Sequence, residues 1–117
     1  MWSTEPEDVV DRQIAAYNDG DVASFAAEFD DDAVVTTFDA LDGDGDPIAV
    51  GTAAIEAAYG EQFAEVAPEI SVVDRVSCGP YVVDHEHITN TDGGERDALC
   101  VYTVVEGLIQ RLWLAYE

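Results

Sequence analysis

Val10, Ile14 and Tyr17 recur at i, i+4 and i+7, the spacing of one apolar helix face. Thr4 and Glu7 stand ahead of that stripe as a capping box and Gly20 follows it as a stop, so the pattern predicts a first helix between them. Asp21 is placed to cap a second, shorter helix carrying Val22, Phe25 and Phe29, which the acidic run Asp30 to Asp32 ends. The pattern then changes. "AVVTTF" is rich in β-branched residues and reads as a strand, and "PIAV" as its partner across the acidic loop "DALDGDGD". Thr52 is placed to cap a third helix with Ile55, Tyr59 and Phe63 in one stripe, stopped before Pro68. Four strand-like runs follow, "EISVVDRVSC", "YVVDHEHIT", "ERDALCVYTVV" and "GLIQRLWLAYE", parted by Gly-Pro, Asp-Gly-Gly and Glu-Gly turn signals. Such short connections imply antiparallel neighbours. The expected architecture is α+β: two helices, a strand pair, a third helix and a four-strand meander, with the helices on one face of a curved sheet.

Composition narrows the picture. At 117 residues and 48% hydrophobic content, the chain has room for one domain, 1–117, with one core. Against 26 acidic residues stand four basic ones, Arg12, Arg75, Arg96 and Arg111, giving a formal charge of -22. That charge repels nucleic acid and anionic membranes, so neither is expected as a partner. Disorder would need few apolar residues, whereas here they are plentiful and periodic. The reading that fits is a folded core in a carboxylate shell, of the kind suited to the salty cytoplasm of an extreme halophile. A single carboxylate therefore says less about function here than it would elsewhere. "MWSTEPEDVV" has no basic segment followed by an apolar one, and no apolar run is long enough to span a bilayer, so a soluble cytoplasmic protein is expected. Cys78 and Cys100 lack the spacing of a redox or zinc motif and read as two buried thiols.

The element order, with "AAYNDGDVASFAAEFDDDAVVTTF", "GTAAIEAAYGEQF" and "VYTVVEGLIQRLWLAY", resembles the nuclear transport factor 2-like superfamily, and more narrowly its SnoaL-like and ketosteroid isomerase-like proteins. The resemblance implies a cone-shaped, mostly antiparallel sheet with three helices on its concave face, around one apolar pocket. It does not imply one activity, because such relatives include isomerases, cyclases, epoxide hydrolases, dehydratases and non-catalytic modules. Ketosteroid isomerase works with an Asp base and an oxyanion hole of Tyr and protonated Asp. The matching positions here hold Gln13 for the Tyr, Thr37 for the base and Thr103 for the second Asp. With all three roles vacant, that isomerisation is not expected.

Candidate chemistry concentrates in "VVDHEHIT". A strand alternates faces, so Asp84 and Glu86 share one side with Val82 and Ile88, and His85 and His87 share the other. The resemblance puts Asp84 and Glu86 inward; a slip of one residue would exchange the pairs. An inward carboxylate would be desolvated and could serve as general acid or base, unless it is tied to Arg75 or Arg111. The two histidines are the chain's only ones and both cysteines lie in other strands, so no metal or other cofactor is expected. In the loop Asp42, Asp44 and Asp46 begin like an EF-hand, but Pro47 stands in the glycine position and Ala53 in that of the bidentate Glu. Tyr17, Tyr59, Phe63 and Tyr116 suit a core, and the resemblance places some of them on the pocket wall, where Thr37 and Thr103 would help orient a ligand. Tyr102, Arg111 and Trp113 are expected on the outer sheet face, joining two copies as a homodimer.

Two functions of different classes follow. One is a cofactor-independent enzyme doing acid–base chemistry on a small apolar molecule; the other is a non-catalytic ligand-binding or dimerisation module. An open cavity with an inward carboxylate favours the first, and a cone plugged by aromatics the second. The charge itself gives the first prediction: self-repulsion on so small a surface is screened by salt, so the melting temperature should rise from low to molar salt. A melting temperature that is flat or falls contradicts the halophilic reading.

Overall fold

The computed structural model describes residues 3–38 and 47–116. Within them the chain forms α1 (Pro6–Asn18), α2 (Val22–Ala27), β1 (Phe29–Thr37), β2 (Ala49–Val50), α3 (Thr52–Val66), β3 (Glu69–Cys78), β4 (Tyr81–Thr89), β5 (Glu95–Val105) and β6 (Leu108–Tyr116). The six strands make one sheet in the order β2-β1-β6-β5-β4-β3. β3 to β6 are the expected meander; β1 joins its far side by pairing in parallel with β6. The loop with Asp42, Asp44 and Asp46 lies outside the described residues.

Helix boundaries differ from the capping patterns in two places, for backbone reasons. Pro6 occupies the first turn of α1 and forces the residue before it into extended backbone, so Glu5, not Thr4, is the N-cap. The Thr4–Glu7 box does not form; the Glu7 carboxylate instead accepts a hydrogen bond from Ser77 Oγ. At α3 the cap is Gly51, whose φ of 88° suits glycine alone, and the Thr52 hydroxyl turns away to donate to the Asp30 carbonyl at 3.4 Å. Asp21 does cap α2, its carboxylate accepting from Ser24 N at 3.1 Å. The acidic run Asp30–Asp32 does not merely end a helix: β1 begins at Phe29, which pairs with Ile109 and packs its ring 5.2 Å from Phe25. Three acids, Asp30 half-buried and Asp31 and Asp32 exposed, are thus accommodated on a strand whose Phe29, Ala33 and Val35 are buried. β2 is shorter than "PIAV", with two paired residues.

The core lies between the helices and one sheet face. Tyr17 of α1, Phe25 of α2 and Tyr59 and Phe63 of α3 form an aromatic cluster, with ring centroids 4.6 Å apart for Phe25–Tyr59 and 4.9 Å for Tyr17–Phe63. The sheet contributes Val82, Ile88, Ala98, Cys100, Val104, Leu112 and Leu114. Register corrects two expectations. Tyr102 pairs with Leu112 and is 1% exposed on the inner face, whereas Trp113 and Arg111 pair with Val101 and Thr103 on the outer face. Tyr102 is therefore not part of an outer aromatic face, and Thr103 is not on the core side, because neighbours along a strand must point oppositely. Cys78, at the end of the edge strand β3, is exposed, while Cys100 is buried.

Candidate active site

Strand alternation on β4 buries Val82, Asp84, Glu86 and Ile88 together, with Asp84 0% and Glu86 1% exposed. Each carboxyl meets a different solution to burial. Asp84 is clamped by its cross-strand neighbour on β3: Arg75 Nε donates to Oδ1 at 2.6 Å and Nη2 to Oδ2 at 2.9 Å. The two-pronged geometry matches guanidinium to carboxylate, and Arg75 also reaches Asp11 on α1 through Nη1 at 2.7 Å. This hydrogen bonding to Asp84 holds the Arg75 proton more tightly than usual. A buried charge needs such a partner, and β3 provides it because a bulge between Val72 and Asp74 sets the register of Arg75 against Asp84.

Glu86 has no such cation. The Tyr102 hydroxyl donates to its Oε2 at 2.9 Å and the Cys100 thiol to its Oε1 at 3.3 Å. Burial raises its pKa, the adjacent Asp84 raises it further by hydrogen bonding and by charge, and the two donors only partly oppose this, leaving it pushed up to about 8. Glu86 thus holds its proton at neutral pH. Tyr102 and Cys100 stay neutral as well, chiefly through their own burial.

Glu86 faces a cavity of about 20 Å³, room for roughly one water. Gln13, Tyr17, Tyr59, Tyr102 and Tyr116 are among its other walls. Of the residues singled out by sequence, Tyr17, Tyr59 and Tyr116 line this cavity, and Phe63 stands behind them in the aromatic cluster. Thr37 borders a separate cleft of about 270 Å³, shared with Phe38, Leu114, Ala115 and Tyr116. Thr103 is on the far side of the sheet. Sequence reasoning missed Tyr102 and Cys100 as partners of Glu86; the signal was the alternation Cys100, Tyr102, Val104 on β5, one residue out of step with the position drawn from the resemblance. It also passed over Gln13 as a wall residue, although Val9, Gln13 and Tyr17 are spaced four apart on the buried side of α1.

His85 and His87 occupy the outer face, where Asp97 bridges them, Oδ2 to His85 Nε2 at 2.8 Å and Oδ1 to His87 Nδ1 at 2.6 Å. Glu95 meets the other nitrogen of His87 at 2.9 Å. Hydrogen bonding to Asp97 raises the proton affinity of His87, and the same contact lowers that of Asp97. Among the described residues, no group of three or more His, Cys, Asp or Glu is arranged to hold a metal ion. Among them, too, no helix is long and apolar enough to cross a membrane.

Comparison with known proteins adds the family. The SnoaL-like domain profile matches residues 10–112. The chain belongs to the SnoaL-like domain family. No protein of curated function matches it in sequence. The SnoaL-like chain is similar in structure to an uncharacterised cystatin-fold protein from Novosphingobium aromaticivorans, at 25% identity and a TM-score of 0.79 over 92% of this chain and 95% of that one. It is also similar to two candidate polyketide cyclases. One is from Sinorhizobium meliloti, at 18% identity and TM-score 0.77 over 92% and 94% of the two chains. The other is IdmH from Streptomyces antibioticus, at 19% identity and TM-score 0.79 over 97% and 92%. At these identities the cyclases establish the shared fold, not the reaction.

The Glu86 proton gives a stability prediction for this SnoaL-like protein. The unfolded chain releases it near the ordinary 4.5 and the folded chain only near 8. Its stabilising contribution is therefore complete below about 4.5 and is lost as pH rises towards 8, with a slope of at most about 1.4 kcal/mol per pH unit. Glu86→Gln, neutral at every pH, should lack that decline in urea unfolding followed from pH 5 to 8. Parallel curves for the two proteins would show that Glu86 is already ionised.

Proposed function

We propose that the chain is a cofactor-independent acid–base enzyme acting on a small, largely apolar molecule, with Glu86 as the group that gives and takes the proton. The observation that carries this reading is a carboxylic acid buried at the cavity wall with its proton retained near neutrality, where a proton-transfer group works best. Giving up that proton to a substrate oxygen or carbon leaves a carboxylate, which the Tyr102 hydroxyl and Cys100 thiol are already placed to stabilise. The Asp84–Arg75 pair lies beside it as a fixed neighbour whose negative end favours the proton's return. Proton transfer next to a carbonyl is a step that such a carboxylic acid can perform without a cofactor. A cavity of about 20 Å³ does not admit a polyketide, so a substrate enters only as wall side chains move. Tyr116 is the side chain placed for this: 41% exposed, it borders both the cavity and the cleft beside Thr37.

The small volume of the cavity favours a second reading, a binding module whose cone is filled by Tyr17, Phe25 and Tyr59. In either case the outer face, with Tyr81, Leu99 and Val76 exposed, suits pairing of two copies. The two readings part in heavy water. Small enolisable ketones incubated with the protein should gain deuterium beside the carbonyl by NMR, and Glu86→Gln should slow this by about 10²-fold or more. Ketones that bind without wild-type exchange would turn the assignment to the binding module.

A further inference from the structure

Gln13 sits in the middle of α1, 2% exposed, and its side-chain oxygen has no hydrogen-bond partner among the described residues. Such an atom is costly unless a donor from outside the chain replaces the water it has lost. An apolar side chain of the same shape would serve the free fold better. Tyr102 and Cys100 donate to Glu86, and Gln62 Nε2 donates to the Tyr17 oxygen at 3.4 Å, so none of these three donors reaches Gln13. Gln13 and Glu86 both line the same cavity, whose volume of about 20 Å³ suits one oxygen-sized group.

We infer that this cavity is the head-group site for a hydroxyl-bearing molecule, an alcohol, phenol or enol with an apolar body, and that Gln13 is the residue that selects the hydroxyl. The inference rests on reading the cavity as a substrate site and adds the class of substrate. Its logic is one of matching donors and acceptors. Gln13 Oε1 requires a donor, and the protonated Glu86 carboxyl offers one. A hydroxyl answers both at once, donating to Gln13 while accepting from Glu86. A carbonyl has no proton for Gln13, and an ammonium has no lone pair for Glu86. The body of the molecule extends past Leu114 and Tyr116, which wall both the cavity and the 270 Å³ cleft, towards Thr37 and Phe38. Thr37 then returns as a neighbour of the ligand's body, away from the reacting group.

A site built around a hydrogen bond discriminates strongly against an analogue that cannot make it, because the buried partner is left unpaired. Equilibrium binding by protein-observed NMR, with cyclohexanol against cyclohexanone and phenol against fluorobenzene, reads this without any turnover. The wild type should bind each hydroxyl compound at least about tenfold more tightly than its partner. Gln13→Leu should erase that preference and, lacking a buried orphan acceptor, should melt no lower than wild type in the absence of ligand; Gln13→Met gives the same test with a different shape. Equal binding of the members of a pair, tighter binding of the ketone, no saturable binding of any probe, or a preference that survives both substitutions would each overturn the inference. Hydroxyl selection by Gln13 without deuterium exchange would remove the acid–base reading alone. Exchange by Glu86 without hydroxyl selection would remove this inference alone.

Discussion

Two carboxyl groups two residues apart on one strand cannot both stay charged inside an apolar core when one guanidinium serves them. The site follows from that constraint. Arg75 takes Asp84 in a two-pronged pair and ties both to α1 through Asp11, while Glu86, beyond its reach, avoids the cost of a bare buried charge by keeping its proton. Adjacent groups with the same chemistry are driven into different states by their partners, which is how a fold distributes acid and base roles among carboxyls. The outer face shows the contrast. His85 and His87, the intervening residues of the same strand, meet carboxylates in the presence of water and need no such division.

Much of the fold was legible because its signals are local. The apolar stripes of the three helices, the β-branched run of β1 and the three turn signals of the meander each depend on a few adjacent residues. The parallel joining of β1 to β6 is not local and left no mark in either strand. Cap positions were misread where backbone conformation outweighed side-chain chemistry: Pro6 moved one helix start and Gly51 set another.

The site was legible to the same degree. Alternation on β4 separated the acids from the histidines, and a single correct facing carried both acids inward. The residues that give Glu86 its character come from β5, however, and their facing depends on a register that sequence does not state. A slip of one position directed attention to Thr103 when Tyr102 was the partner. Acidity also hid the site. With 26 acidic residues in the chain, nothing in composition marks the two that are buried among the described residues; only their neighbours Val82 and Ile88 do. Gln13 is the opposite case, a polar residue on an apolar helix stripe, whose meaning emerges only when its unpaired oxygen is seen against the cavity.

The account stands on the protonation state of Glu86 in the native protein. Labelling the glutamate side-chain carboxyl carbons with ¹³C and assigning Glu86 by comparison with Glu86→Gln permits its titration to be followed directly by NMR, at a salt concentration that keeps the chain folded. The account predicts a midpoint near 8, well apart from the exposed glutamates. A midpoint in the ordinary glutamate range, near 4.5, would mean that Glu86 is charged in the core at neutral pH and would contradict the account.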